Sequence, residues 1–141
     1  MEHFGRVIGI DVGSKRVGLA RSDLLKTSAN PVGTFSPEES IDKIRLMAEE
    51  YPVDVFVVGW PLSLDGSRND ATKMVEAYIQ KLNSHFPGVS VYKMDERNSS
   101  KQAVQTLIHT GVPQKKRSKK GRVDQVVASL LLQQYLEIKE K

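Results

Sequence analysis

The sequence contains no cysteine among its 141 residues. Disulfide bonds and zinc sites built on thiolates are therefore excluded, and we expect a protein of the reducing cytoplasm. No apolar run approaches the roughly 18 residues of a transmembrane helix, and the first residues lack the pattern of a secretion signal, so no membrane partner is expected. The length predicts a single domain over residues 1–141.

Several common catalytic motifs are also missing. The chain has no P-loop, no Gly-x-Ser-x-Gly nucleophile motif and no dinucleotide-binding glycine motif. Its three histidines have a spacing that matches no zinc site. Carboxylates and basic side chains therefore remain as the groups on which a function can be argued.

Positive charge is concentrated in one segment, KKRSKKGR, at residues 115–122. The chain has a formal net charge of +4, from 21 basic and 17 acidic residues. Six of the basic residues and no acidic residue lie in this segment, so the rest of the chain carries a net charge of −2. Such a run is either a solvated loop or a contact surface for a phosphate backbone. Its basic residues are Lys115, Lys116, Arg117, Lys119, Lys120 and Arg122.

Hydrophobic periodicity predicts alternating strands and helices. The predicted strands are residues 5–12, 17–23, 30–35, 53–60 and 88–97. The predicted helices are residues 36–51, a segment from the turn at 63–70 to about Asn83, residues 99–111 and residues 123–139. The first three strands should pair antiparallel because short turns join them, whereas strand–helix–strand units imply parallel pairing. We therefore expect an α/β fold with a mixed five-stranded sheet and helices on both faces.

Acidic residues lie where predicted strands and helices end or begin. Asp11 closes the first strand, the Asp95–Glu96 pair closes the fifth strand, and Asp124 opens the last helix. Each has an ordinary explanation: an Asx turn, an ion pair with a basic neighbour, or a first-turn helix acid. Together they offer the carboxylate oxygens that a hard divalent cation prefers, and Mg²⁺ held in this way supports phosphodiester hydrolysis.

Four segments resemble the signature blocks of the YqgF/RuvX family. They are GIDVGSKRVGLA (9–20), VVGWPLSLDGS (57–67), DERNSS (95–100) and VDQVVASLLLQQYL (123–136), in the family's order across essentially the whole chain. Members of this family are small RNase H-like proteins, described as Holliday-junction-resolvase-like and as nucleases for the 5′ end of pre-16S ribosomal RNA. The resemblance implies an RNase H-like fold and a nuclease that depends on Mg²⁺ or Mn²⁺.

The resemblance also implies roles for individual residues. The catalytic and metal-binding acids would be Asp11, Glu96 and Asp124, with Asp95 as an alternative ligand to Glu96. Successive residues of a strand face opposite ways, so only one of that pair can share a face with Asp11. The residues expected to contact nucleic acid are Lys15, Arg16, Arg97, Ser99 and the six basic residues of the 115–122 segment.

Three residues depart from the family's pattern, namely Trp60, Asn98 and Val127. None of them removes a carboxylate. Trp60 stands where the family usually has a smaller apolar residue and Asn98 follows the DER block, so both affect the expected shape of the substrate groove rather than its chemistry. Trp60 itself is expected to pack against the core in preference to stacking on a base.

Four functional hypotheses follow. The first is a metal-dependent nuclease that acts on structured RNA such as pre-16S rRNA, and the second is the same chemistry on branched DNA, as a Holliday-junction resolvase. The third is a catalytically silent nucleic-acid-binding module. The fourth, an ATP-binding role suggested by DVGSKRVG, is disfavoured because actin-like proteins use two such domains. The sequence is compatible with a monomer and with a homodimer.

Overall fold

The computed structural model describes residues 5–63, 65–95 and 120–140, with side chains of the last helix described from residue 124 to residue 138. The strands are β1 (Arg6–Val12), β2 (Val17–Ser22), β3 (Ala29–Phe35), β4 (Val53–Trp60) and β5 (Ser90–Asp95). The helices are α1 (Pro37–Glu50), α2 (Asp70–His85) and α3 (Lys120–Glu140). No helix within these described ranges is long and apolar enough to cross a bilayer.

The five strands form one mixed sheet in the order β3-β2-β1-β4-β5. β2 pairs antiparallel with both β1 and β3, whereas β4 pairs in parallel with both β1 and β5. Short turns permit the antiparallel neighbours, and the connections through α1 and α2 permit the parallel ones. The predicted mixed sheet is confirmed, with β1 as its central strand.

Helices cover both faces of this sheet, as predicted. α1 and α2 pack on one face, against a core that includes Ile8, Ile10 and Phe56. α3 packs on the other face, against a second core that includes Val7 and Val57. Because β1 and β4 are covered on both sides, consecutive residues of these strands are apolar, and the sequence shows continuous apolar runs instead of alternation.

The starts of α1 and α2 follow from their capping residues. The Ser36 hydroxyl accepts a hydrogen bond from the Glu39 backbone N–H at 3.2 Å, and the Glu39 carboxylate accepts one from the Ser36 N–H. Asn69 and Thr72 form the equivalent pair at the start of α2. These reciprocal bonds satisfy backbone donors that have no partner within the helix.

The predicted start of the last helix was wrong. Residues 120–122 were assigned to a basic loop, but α3 already begins at Lys120. Lysine and arginine are good helix formers, and one interior glycine costs only about 1 kcal/mol. The packing of the following apolar face, which includes Val127 and Leu131, offsets that cost. The predicted helix at residues 99–111 lies outside the described residues.

A buried hydrogen bond joins α1 to α2 through Ser40 and Tyr78, whose hydroxyl oxygens lie 2.7 Å apart. Ser40 donates its own proton to the Pro37 carbonyl oxygen at 2.6 Å, so the Tyr78 hydroxyl is the donor between them. Burial raises the pKa of Tyr78 to about 12, because the phenolate would lose its hydration inside the protein.

The stability of the fold is therefore expected to fall as the pH rises from about 10 to about 12. The unfolded chain releases the Tyr78 proton near pH 10, whereas the folded chain keeps it until about pH 12, so deprotonation favours unfolding across this window. The loss reaches about 2–3 kcal/mol near pH 12 and is about half of that at pH 11. Tyr78→Phe should remove it, at a cost of about 1 kcal/mol at neutral pH. Urea unfolding of both proteins at pH 7 and pH 11 measures the difference, and identical pH dependence would contradict the assignment.

Candidate active site

The carboxyl ends of β1, β4 and β5 meet at one edge of the sheet, because these three strands run in parallel. Asp11 is the penultimate residue of β1, and Trp60 and Asp95 are the last residues of β4 and β5. The β1–β2 turn lies at the same edge. In open α/β sheets, ligands bind outside the carboxyl ends of the strands, where loops can vary without disturbing the core.

Gly18 connects the positions of Asp11 and Asp124. In the β1–β2 ladder Asp11 pairs with Gly18, and directly paired residues share a face of the sheet. That face is the one under α3, because Val7, which has the same alternation as Asp11, packs against α3. A Cβ atom on Gly18 would collide with the Asp124 backbone carbonyl. The helix backbone at Asp124 therefore lies directly over the Asp11–Gly18 pair.

A second glycine, Gly9 on the neighbouring strand β1, permits the same close approach of α3 to the sheet. A Cβ atom on Gly9 would lie 2.6 Å from the Ala128 carbonyl oxygen and 2.9 Å from the Leu132 Cβ atom. Neither Gly9 nor Gly18 was predicted from the sequence to lie at such a contact. The sequence does carry an indication of this contact, because a glycine inside an apolar strand often marks a place where another backbone comes close.

The position of Asp124 within α3 argues against a role as an acid of the first helical turn. It was predicted to open the helix, but it is the fifth residue of α3, and no acidic residue lies in the first turn. The helix dipole acts mainly within the first turn, so a dipole role does not account for Asp124. Asp124 precedes the buried Ala128 by four residues, which places it on the side of α3 that faces the sheet.

Asp11 and Asp124 are both half-buried, and each already takes part in an interaction within the fold. The backbone segments that carry these two acids therefore lie close together, and Lys15 and Arg16 lie at the same edge of the sheet. Among residues 5–63, 65–95 and 120–140, no group of three potential metal ligands is present. The third predicted acid, Glu96, lies outside the described residues.

The alternative ligand Asp95 lies on the other face of the sheet. Its neighbour Met94 is buried against α3, so Asp95 points to the face of α1 and α2. Its ladder partner is Trp60, which packs on that same face. The structure thus separates Asp95 from Asp11, contrary to the alternative in which Asp95 replaces Glu96.

Two of the predicted phosphate-binding residues, Lys15 and Arg16, occupy the turn between β1 and β2. The Gly13 N–H donates to the Arg16 carbonyl oxygen at 2.8 Å, which closes the turn. A Cβ atom on Gly13 would lie 2.9 Å from that oxygen, so glycine suits this position. Both basic side chains are exposed beside the end of β1. They are available to a polyanion that approaches Asp11.

The other predicted contacts are described in part or not at all. Lys120 and Arg122 belong to the first turn of α3, the end of the helix nearest Asp124. The remaining predicted contacts lie outside the described residues, namely Arg97, Ser99, Lys115, Lys116, Arg117 and Lys119.

Comparison with known proteins assigns the chain to a family. Residues 5–138 match the RuvX family, which is described as Holliday junction resolvase. The chain belongs to the RuvX family. A relative from Chlorobium phaeobacteroides, provisionally named pre-16S rRNA nuclease, is 46% identical over 94% of this chain and 92% of its own. A relative from Salinibacter ruber with the same name is 43% identical over 93% of this chain and 92% of its own. As a member of this family, the chain is a nuclease.

Solved structures with a similar fold include RuvC and a terminase nuclease. RuvC from T. thermophilus, in complex with a Holliday junction substrate, aligns with a TM-score of 0.57 at 14% identity and covers 96% of both chains. The large terminase nuclease of the thermophilic phage G20c aligns with a TM-score of 0.52 at 14% identity, over 94% of this chain and 82% of its own. At such identities the likeness concerns the fold, and it confirms the predicted RNase H-like fold of this RuvX-family chain.

Proposed function

We propose that this chain hydrolyses phosphodiester bonds of a ribosomal RNA precursor at the carboxyl edge of its sheet. Asp11, Asp124 and Glu96 are the catalytic acids of this proposal. The observation that carries it is the contact between α3 and Gly18, which places Asp124 over the Asp11–Gly18 pair. The choice of substrate is supported by the relatives, whose name specifies pre-16S rRNA.

The residues at this edge suit Mg²⁺ or Mn²⁺. Asp11 and Asp124 offer only oxygen ligands, as hard cations prefer, and a half-buried carboxylate at the end of an apolar strand benefits from a nearby positive charge. A bound divalent ion would supply an activated water and stabilise the leaving oxygen. Glu96 is preferred over Asp95 as the third acid, because Asp95 lies on the face of the sheet opposite to Asp11.

The basic residues hold the substrate backbone in this proposal. Lys15 and Arg16 are exposed on the β1–β2 turn beside Asp11, and the 115–122 segment leads into the end of α3 that carries Asp124. Contacts to phosphate position a nucleic acid without reading its sequence. Selection of one precursor must therefore come from the shape of the RNA or from its unpaired bases.

Cleavage assays on two substrates test the proposal. Purified protein with Mg²⁺ or Mn²⁺ should cut a precursor rRNA containing the 5′ leader, and EDTA should stop the reaction. A four-way DNA junction tested in parallel addresses the second candidate, resolvase activity, which the family description favours. Cleavage of the junction alone would overturn the RNA assignment but keep the nuclease site. Paired cuts at symmetric positions would additionally require a homodimer, which sedimentation at the assay concentration would detect.

The contribution of the β1–β2 turn can be measured through salt dependence. Lys15→Ala should weaken binding to duplex nucleic acid and reduce the slope of log K against log salt concentration by about 0.9, because one phosphate contact is lost. Lys81→Ala is the matched control, since Lys81 is exposed on α2, in its last turns. A slope that does not change in the Lys15 variant would show that the turn makes no contact with the backbone of the substrate.

A further inference from the structure

Trp60 is the only tryptophan of the chain and lies outside the deepest core. Its half-buried indole packs against the core beneath α1 and α2, as predicted, but two basic side chains also lie against the ring. The Lys93 Nζ atom is 4.3 Å from the ring centroid, and the Arg68 Cζ atom is 5.7 Å from it. Lys93 and Arg68 are both exposed, so the outer part of the indole is covered by surface side chains and not by the core.

Trp60 lies close to the catalytic edge. Ile10 pairs with Val58 in the β1–β4 ladder, so the next residues along each strand, Asp11 and Gly59, lie side by side. Adjacent strands are about 4.8 Å apart, and Trp60 follows Gly59. Trp60 points to the face of α1 and α2, whereas Asp11 points to the face of α3. A nucleic-acid strand that crosses the edge of the sheet, with one phosphate at Asp11, can therefore place a neighbouring nucleotide at Trp60.

We propose that Trp60 stacks on an unpaired nucleobase next to the phosphate that is cut, and that Lys93 covers this stacking site in the free protein. This inference rests on the proposed nuclease function and names a feature of its substrate, an unpaired nucleotide beside the cleavage site. Every base has a π-face, so the site accepts RNA and DNA alike.

Stacking of a base on Trp60 is stronger than the contact of Lys93 with the ring, so a base can replace Lys93 there. An exposed cation–π contact such as Lys93 on Trp60 is worth roughly 2- to 5-fold in an equilibrium constant. Base stacking on an aromatic side chain is worth roughly 5- to 150-fold. A base can thus displace the Lys93 ammonium, which is then free to pair with a phosphate of the same strand. Arg68 is held by an ion pair with Glu76 and remains at the rim of the site.

The single tryptophan makes the test specific. The full-length protein, in EDTA to prevent cleavage and again as Asp11→Asn with Mg²⁺, is titrated with a duplex that has a short single-stranded overhang, as RNA and as DNA. We expect the Trp60 fluorescence to fall by at least about twofold on binding, because a stacked base quenches the indole. A matched overhang without bases keeps every phosphate and should leave the fluorescence nearly unchanged. Equal quenching by both overhangs, or none by either, would overturn the proposal.

Variants separate stacking from the contribution of charge. Trp60→Leu should weaken binding of the normal overhang 5- to 150-fold and leave binding of the abasic overhang unchanged, whereas Trp60→Phe should retain most of the affinity. The Trp60 fluorescence of Lys93→Ala should still be quenched on binding. The slope of log K against log salt concentration should be lower by about 0.7, the value for one phosphate contact to a single strand. Lys81→Ala serves again as the charge control.

The outcomes distinguish this inference from the proposed function. Cleavage of the precursor together with equal affinity of wild type and Trp60→Leu for both overhangs would overturn the stacking site alone. Absence of both binding and cleavage in the wild type would overturn the nuclease assignment and the stacking site with it. The fluorescence measurement uses the wild-type protein, so it decides the question even where Trp60→Leu fails to fold.

Discussion

Replacing Asp11 by asparagine is expected to lower the rate of precursor RNA cleavage by at least about 100-fold and to leave the protein folded. The amide keeps the shape of the carboxylate but loses its charge, and a divalent cation binds carboxylate oxygens far more strongly than amides. Loss of a residue that merely supports a metal ligand costs 10- to 100-fold in affinity or activity. The loss of a direct ligand should be at least as large. Single-turnover cleavage at saturating Mg²⁺ measures it.

The control for this variant changes the same charge at a distant position. Asp42 is exposed on α1, where it forms an ion pair with Arg45, so Asp42→Asn should cut at the wild-type rate. Metal binding also has a readout that does not depend on cleavage. Mn²⁺ at 100 times its dissociation constant should stabilise the wild type by about 2.7 kcal/mol and should stabilise Asp11→Asn much less. Wild-type cleavage by Asp11→Asn would remove Asp11 from the catalytic acids.

Most of the fold could be predicted because its determinants are local in the sequence. The continuous apolar run of β4 is typical of a strand covered on both faces, and Ser36 followed by Pro37 is typical of the start of a helix. Strand direction then followed from connection length, since short turns join antiparallel neighbours and helices join parallel ones. The start of α3 was missed because a run of basic residues with one glycine is typical of a loop, and only packing further along the chain shows otherwise.

The candidate site could be predicted less completely, because its geometry depends on contacts between distant segments. Asp11 was identified from its place at the end of β1, but its face of the sheet is set by the packing of α3. The same packing separates Asp95 from Asp11, which alternation alone leaves open. Trp60 was expected to pack on the core, and it does, but its contacts with Arg68 and Lys93 involve residues 8 and 33 positions away.

Gly18→Ala tests whether the contact of α3 with β2 sets the position of Asp124. The added Cβ atom would overlap the Asp124 carbonyl group and the Gln125 backbone nitrogen, and backbone atoms cannot rotate away as a side chain can. We expect α3 to shift, with a loss of about 1–3 kcal/mol in the free energy of unfolding. A displacement of about 1 Å at a catalytic group can cost roughly 100-fold in rate. Cleavage should therefore fall by about that factor under conditions where the variant is folded.

Two comparisons make this result specific to the site. Gly88→Ala introduces the same methyl group where no atom lies within 4 Å, so its cleavage rate should be that of the wild type. Tyr78→Phe loses a comparable amount of stability between α1 and α2, on the opposite face of the sheet, and should also cut normally. A Gly18→Ala protein that is destabilised but cuts at the wild-type rate would show that Asp124 does not have to lie over the Asp11–Gly18 pair. Loss of cleavage in this variant alone would instead tie catalysis to the packing of α3 on β2.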